Sequence, residues 1–315
     1  MLDIGRSQIV WVVAFHPDGK HLLGGYDDGI RRWRVSDGQE VGKQTRAGVI
    51  AISVSSDQRW MVCGTFNGAC VWDGDMQEKI IDVEGQIGVY SVDVSPDSTR
   101  FATGTRGEEA SIWSITSGER LVGPLKHYHT ITGIRFSPNG ERIATACLEN
   151  SIRIFDSHTG DKLVTIKIDI PRWIAATPLA WSSDAQEILA ASDFDNKIRS
   201  FSTSTGSLLT ESQTLHDDEN IDVHSVALAA NGKFLVTFAG NFISFLNMST
   251  LNRNEPVVDD GQCWLCSIAI SADSSLLATG QADGKIVIRD LSKILPDVYG
   301  PFHVSIRTSI IWACR

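Results

Sequence analysis

Short apolar, β-branched runs recur along the whole chain, and polar turn residues separate them. Ile9-Val-Trp-Val-Val-Ala-Phe15 and Thr130-Ile-Thr-Gly-Ile-Arg-Phe136 are two such runs. Arg142-Ile-Ala-Thr-Ala146 and Leu276-Leu-Ala-Thr-Gly280 are two more. Runs of this length and composition predict strands, and no segment carries the 3.6-residue apolar period of an amphipathic helix. The strands are closely spaced, which predicts hairpins and an all-β architecture.

One phrase punctuates the pattern seven times. It reads Phe15-His-Pro-Asp-Gly19, Val54-Ser-Ser-Asp-Gln58, Val94-Ser-Pro-Asp-Ser98, Phe136-Ser-Pro-Asn-Gly140, Trp181-Ser-Ser-Asp-Ala185, Leu228-Ala-Ala-Asn-Gly232 and Ile270-Ser-Ala-Asp-Ser274. From 15 to 270 is 255 residues, six intervals averaging 42.5, the period of a four-stranded propeller blade. The phrase has a physical logic. An apolar residue ends a strand, Pro presets φ, Asp or Asn bonds the local backbone, and Gly takes the left-handed conformation. A third strand is expected in each unit at Ile30–Val35, Ala69–Trp72, Ser111–Ile115, Ser151–Phe155, Lys197–Phe201, Phe242–Leu246 and Lys285–Arg289. A fourth, more variable strand closes each unit. A lone four-stranded unit cannot bury both of its faces, so the units must stack on one another.

The third strands carry a family resemblance. Trp72-Asp73 is the dipeptide that names WD40 repeats; Trp33 and Trp113 keep the aromatic, and Phe155 and Phe201 replace it. Leu246 and Arg289 fill the slot in the last two repeats. The family's turn aspartate, six residues earlier, is matched by Asp27, Asp195 and Asp283 but not by Phe66, Gly107, Glu149 or Gly240. His127 matches the family's histidine ahead of the first strand. The chain therefore resembles a degenerate WD40 protein over nearly its whole length. The resemblance implies a seven-bladed β-propeller of four-stranded antiparallel blades over residues 1–305. No blade is expected to hold the complete His–Asp–Trp hydrogen-bonded set. Burial of one Trp stabilises by roughly 4–6 kcal/mol gross, against about 1 kcal/mol net for a hydrogen bond, so the fold is expected to survive these gaps. Blade six lacks both Asp and Trp and is expected to exchange its amide hydrogens faster than blade one. Residues 306–315 are expected to be the cut-short start of an eighth repeat or a tail, because Gly300-Pro-Phe-His303 echoes Gly123-Pro-Leu-Lys-His127. Such an ending is similar to a piece of the tandem WD40 arrays of fungal multidomain proteins.

Charge narrows the partner classes. A formal net charge of −10 with a pI near 5.2 disfavours phosphate backbones and thus nucleic acid. No apolar stretch reaches the roughly 18 residues of a membrane span, and the first residues lack the apolar core of a signal peptide. The expected location is the cytoplasm. In a reducing compartment the six cysteines read as small buried hydrophobes. Nothing in the chain signals an oligomeric state.

Candidate chemistry is thin. Gly280-Gln-Ala-Asp-Gly-Lys285 is one residue short of a phosphate loop and places Ile286 where Ser or Thr should stand. Cys263-Trp-Leu-Cys266 has no second CxxC to complete a zinc site. His216-Asp-Asp-Glu219 with Asp222 lacks the alternating acids of an EF-hand loop, and Asp195, beside Asp193, is explained by its turn. No metal or cofactor is expected. The expected function is a non-catalytic scaffold that binds a protein or peptide at the rim of the central channel. The alternatives are a propeller hydrolase with a channel metal, or a truncated repeat protein without retained activity. Two positions per blade are expected to face the rim. One is four residues before the phrase and the other seven before the tryptophan slot. They nominate Trp11, Tyr26, Tyr90, Arg106, Phe194 and His224, a set rich in the residue types that anchor interfaces.

Overall fold

The computed structural model describes residues 9–45, 48–169, 179–192, 195–215, 223–259, 263–295 and 310–312. Thr177, Asp193, Phe194, residues 216–222 and His303 lie outside the described residues. Twenty-eight strands form seven four-stranded antiparallel sheets. Blade one holds β1 (Val12–Phe15), β2 (His21–Tyr26), β3 (Gly29–Arg34) and β4 (Glu40–Thr45). Blade two holds β5 (Val49–Val54), β6 (Trp60–Thr65), β7 (Gly68–Asp73) and β8 (Lys79–Glu84). Blade three holds β9 (Val89–Val94), β10 (Arg100–Thr105), β11 (Glu109–Ser114) and β12 (Arg120–Lys126). Blade four holds β13 (Ile131–Phe136), β14 (Arg142–Cys147), β15 (Ser151–Asp156) and β16 (Lys162–Lys167). Blade five holds β17 (Leu179–Trp181), β18 (Glu187–Ser192), β19 (Lys197–Ser202) and β20 (Leu208–Glu211). Blade six holds β21 (Val223–Leu228), β22 (Phe234–Ala239), β23 (Phe242–Asn247) and β24 (Arg253–Asp259). Blade seven holds β25 (Leu265–Ile270), β26 (Leu276–Gln281), β27 (Ile286–Asp290) and β28 (Ile310–Trp312), with a single helical turn, α1 (Leu291–Ile294), after β27.

The last strand corrects the expected boundary at 305. β28 hydrogen-bonds to β27 in the register Ile286↔Trp312, Val287↔Ile311 and Ile288↔Ile310. It is the outermost strand of blade seven, not the first strand of an eighth repeat. Without β28 the edge of β27 would be a row of unpaired amides and carbonyls, and an extended segment lowers the free energy by pairing with it.

The repeated phrase builds the turn between first and second strands in every blade. Its Asp or Asn accepts a backbone N–H two residues on: Lys20 to Asp18 at 2.7 Å, Arg59 to Asp57 at 3.0 Å, Lys233 to Asn231 at 3.0 Å. The fifth residue has positive φ in all seven phrases, at Gly19, Gln58, Ser98, Gly140, Ala185, Gly232 and Ser274. Four of these are not glycine. Turn geometry fixes the left-handed conformation here and overrides the local preference.

The apolar core is divided into seven clusters, one between each pair of neighbouring blades. The cluster that closes the ring joins Val10, Val13, Leu22 and Trp33 to Ala278, Ile286 and Ile288. The Val10 N–H donates to the Gln281 carbonyl at 3.2 Å, and the Val13 N–H to Ser267 Oγ at 3.1 Å. Blades approach so closely that glycine is needed on the second strand. A Cβ on Gly64 would lie 2.4 Å from the Val89 carbonyl oxygen of the next blade.

The tryptophan slot is buried in five blades and half-buried at Trp113 and Arg289, and its chemistry varies. Trp33 packs on Tyr26 with ring centroids 5.9 Å apart, and Trp72 lies in the core between blades one and two. Trp113 stacks on Phe101, and its indole donates to Thr103 Oγ1 at 3.0 Å. In blade seven Arg289 takes over that role, donating from Nη1 to Thr279 Oγ1 at 3.0 Å, and burial lowers its pKa. Blade six fills the same space with hydrocarbon: Leu246 is fully buried in the core between blades five and six, with Leu235, Ala239 and Leu251.

The turn acids are also more varied than expected. Asp27 is exposed and accepts the Trp11 indole N–H at 2.7 Å. Asp195 pairs with Arg199. Asp283 accepts the Lys285 N–H at 3.1 Å and its ammonium at 2.5 Å. Asp73 caps its own turn by accepting the N–H of Gln77 at 2.6 Å and of Glu78 at 2.8 Å. Glu149, one methylene longer than the family's aspartate, stands in for it in blade four. It accepts from the Tyr128 N–H and Ser151 Oγ, pairs with Arg153, and lies 3.6 Å from His127 Nδ1. His127 Nε2 is 3.2 Å from Thr145 Oγ1. Blade four thus holds a histidine–glutamate–threonine set with Phe155 edge-on to the imidazole.

Two outcomes follow from this packing. Gly64→Ala should lower stability by roughly 1–3 kcal/mol, read as a lower urea midpoint. Gly42→Ala, whose Cβ meets nothing closer than 3.9 Å, should change it by less than about 1 kcal/mol. His127 is buried, and desolvation, aided by Arg153, lowers its pKa to about 4. The unfolded chain binds this proton near pH 6.5 and the folded chain only near 4. Stability is therefore complete above about 6.5 and lost as pH falls toward 4, on the order of 2 kcal/mol by pH 5. His16, also lowered by burial, adds in the same direction. Denaturation at pH 7.5 and 5.0 should show this loss in the native protein and a smaller one in His127→Gln.

Candidate functional site

Loops that precede the first strands and turns that link second to third strands converge on one face of the ring, around the mouth of the central channel. The opposite face carries the phrase turns. The channel encloses about 480 Å³ and is walled by first strands, among them Ile50, Tyr90, Val92, Trp181 and Ile268. Arg135, which lines the channel, meets the buried Asp93 at 3.6 Å, and Asp93 also accepts the Phe136 N–H at 2.8 Å. Burial raises the Asp93 pKa, against the pull of Arg135.

The nominated rim residues divide. Trp11 is half-buried and held by Asp27. Arg106 is exposed. Tyr90 stands largely buried at the channel wall, with Phe66 edge-on at 6.5 Å. Tyr26 is a correction: only 1% exposed, it is covered by Trp33 and by the Arg31 guanidinium, 4.5 Å from its ring centroid. It belongs to the core, because β2 turns this residue toward blade seven instead of the channel mouth. His224 sits in β21, at the bulge between the pairs Val223↔Ala239 and Ser225↔Phe238. Phe194 lies outside the described residues.

Four exposed apolar side chains on the same face escape the two positional rules. They are Phe66 (44% exposed), Ile87 (67%), Tyr128 (81%) and Trp264 (54%). The remaining exposed large hydrophobics among the described residues, such as Leu121, Leu163 and Leu208, are aliphatic and lie on outer strands. Phe66, Ile87, Tyr90 and Arg106 adjoin. The Gly88 N–H donates to the Phe66 carbonyl at 2.9 Å, and the Arg106 N–H to the Gly88 carbonyl at 2.8 Å. A Cβ on Gly88 would touch both Arg106 and Tyr90 within 3.2 Å. Tyr128 lies under the Arg153 guanidinium at 5.5 Å. The sequence does signal Phe66, where an aromatic replaces a turn aspartate. Trp264 is hidden by its place within Cys263-Trp-Leu-Cys266.

Two clusters have metal-ligand chemistry, with ligand atoms within 4.8 Å of one another. In the first, Asp18 Oδ2 lies 3.1 Å from His16 Nδ1 and 2.6 Å from His21 Nδ1. Arg32 Nη2 stands 3.1 Å from His21 Nδ1, so a cation already occupies the charge field. The second, His127 with Cys147 and Glu149, is the blade-four set, with Arg153 on its carboxylate and the Cys147 thiol donating to the His129 carbonyl at 3.0 Å. Both serve the fold. Cys263 and Cys266 stand on the first-strand side of blade seven, and burial raises both thiol pKa values, that of Cys266 to about 12. Among the described residues no helix is long and apolar enough to cross a membrane.

Comparison with known proteins agrees with this architecture. The family model described as WD domain, G-beta repeat, matches residues 4–34, 78–114 and 257–290. The model of the anaphase-promoting complex subunit 4 WD40 domain matches 99–184. Eukaryotic translation initiation factor 3 subunit I of Scheffersomyces stipitis is 23% identical over 287 residues, covering 82% of this chain and 79% of that protein. Serine-threonine kinase receptor-associated protein of Gallus gallus is 24% identical over 220 residues, covering 68% of this chain and 59% of that protein. The solved β-propeller domain of Swd1 from Myceliophteria thermophila superposes with a TM-score of 0.76 at 18% identity, covering 90% of this chain and 98% of that one. Seven blades, the phrase turns, the filled tryptophan slots and these matches together make the chain a member of the WD40 repeat family.

Proposed function

We propose that the chain is a non-catalytic protein-interaction scaffold, whose partner is a protein or peptide docking on the face that carries Trp11, Phe66, Ile87, Tyr90, Arg106, Tyr128 and Trp264. One observation carries the reading: the exposed aromatics among the described residues, Phe66, Tyr128 and Trp264, all lie on this face. Aromatic and Arg side chains bury large area while keeping a polar handle, and they dominate interface energetics. Arg106 is exposed beside that apolar ground, where its planar fork suits a carboxylate on the partner. The WD40 relatives lend support, since they include a subunit of a translation initiation factor and a kinase receptor-associated protein. The five described cysteines are all free thiols, which fits a reducing, cytoplasmic setting.

The test is affinity purification from cells with quantitative mass spectrometry. Arg106→Ala and Trp264→Ala should each reduce the co-purifying partner about tenfold, the loss of one anchor of over 1 kcal/mol. Leu163→Ala, on the exposed outer strand of blade four, should leave recovery unchanged. Equal recovery with all three, in folded proteins, overturns the assignment of this face.

A further inference from the structure

Blade two carries a pair of thiols that the scaffold reading does not use. Cys63 on β6 and Cys70 on β7 are direct partners in the antiparallel register. Directly opposed residues point to the same face, with Cα atoms about 4.5–5.5 Å apart. That spacing lies inside the roughly 4.4–6.8 Å that a disulfide spans, so the bond needs little movement of the backbone. Both residues are free cysteines. Cys63 is fully buried in the core between blades one and two, and Cys70 packs against the same cluster, half-buried.

Access is one-sided. A cavity of about 420 Å³ opens between blades one and two, walled by Ile30, Val49, Cys70, Trp72 and Val83, with the Lys79–Asp82 ion pair among its lining residues. Cys70 lines it and Cys63 does not. The two thiols differ in character as well. Hydrogen bonds from the Cys63 thiol, and from Trp72, hold the Cys70 thiol below its ordinary range although burial opposes them. Burial pushes the Cys63 thiol up. An accessible sulfur that ionises more readily than its neighbour, beside a sheltered thiol in bonding register, is the arrangement of an attacking and a resolving cysteine.

We propose that Cys70 and Cys63 form a reversible oxidation site, at which a hydroperoxide entering the cleft between blades one and two converts the two thiols to a cross-strand disulfide. The Cys70 thiolate attacks one peroxide oxygen and the O–O bond breaks. With hydrogen peroxide, hydroxide leaves and takes a proton to become water, and Cys70 becomes a sulfenic acid. The Cys63 sulfur then attacks Cys70 sulfur, the S–O bond breaks, and a second water departs. Two thiols lose two electrons in all, and the peroxide is reduced to two waters. An external dithiol reverses the reaction by exchange.

Both cysteines lie in one tryptic segment, residues 60–79, so the bond is read directly by mass. The full-length native protein is treated with hydrogen peroxide, alkylated and digested. The segment should emerge two hydrogens lighter and unalkylated, and dithiothreitol should restore two alkylatable thiols. In Cys63→Ser, dimedone should trap Cys70 as the sulfenic acid; in Cys70→Ser, Cys63 should stay reduced. Without peroxide, iodoacetamide should modify Cys70 at least tenfold faster than Cys147 or Cys266. The proposal is overturned if the segment keeps two free thiols while other cysteines oxidise. It is equally overturned if Cys70 pairs with a cysteine other than Cys63, or reacts no faster than the buried thiols.

Discussion

The structure depends on apolar contact between neighbouring blades. No blade has a core of its own. Each of the seven clusters draws side chains from two sheets, so every sheet is stable only because its neighbours cover both faces. Alternation along each strand sends successive side chains to opposite faces, which lets one sheet supply two interfaces at once. Glycines at the closest approaches, such as Gly64 against Val89, set how near the sheets can come. The polar signature of the family is secondary to this. Blade six has a leucine where others have an aromatic, and that leucine is fully buried among Leu235, Ala239 and Leu251.

Much of this was legible in the chain. The phrase turns were readable because their chemistry is local: a short acid bonding a backbone amide two residues away leaves a fixed mark in sequence. Strand positions followed from the turns. The substitutions were not readable, because they rest on contacts made in space. Glu149 does the work of an aspartate because its extra methylene reaches Ser151, Arg153 and the Tyr128 amide together. Arg289 replaces an indole because Thr279, ten residues earlier on the paired strand, accepts its guanidinium N–H, as Thr103 accepts the Trp113 indole N–H. A threonine at that offset is the signal that would have marked blades three, four and seven in advance.

The candidate face was only partly legible. Counting positions from the phrase and from the tryptophan slot nominated Trp11, Tyr90 and Arg106 but also Tyr26, whose side chain β2 commits to the core. A register rule gives the side of a strand, not whether a neighbour covers it. Conversely Phe66 and Tyr128 lie in connections, where no periodicity applies: an aromatic in the turn-aspartate position marks Phe66, and only its exposure reveals Tyr128. The strand at Ile310–Trp312 was missed for a related reason: its echo of an earlier repeat pointed to a beginning, while the unpaired edge of β27 was available for it to complete.

The seam between blades one and seven has a consequence for biosynthesis. The amide of Val13 and the hydroxyl of Ser267 that meet there are 254 residues apart. At the usual pace of translation that separation takes on the order of ten to fifty seconds to emerge. Throughout that interval Val10, Val13, Leu22 and Trp33 lack the surface that finally covers them. The nascent chain thus carries a bare flank, open to chaperones or to aggregation, until its last blade leaves the ribosome.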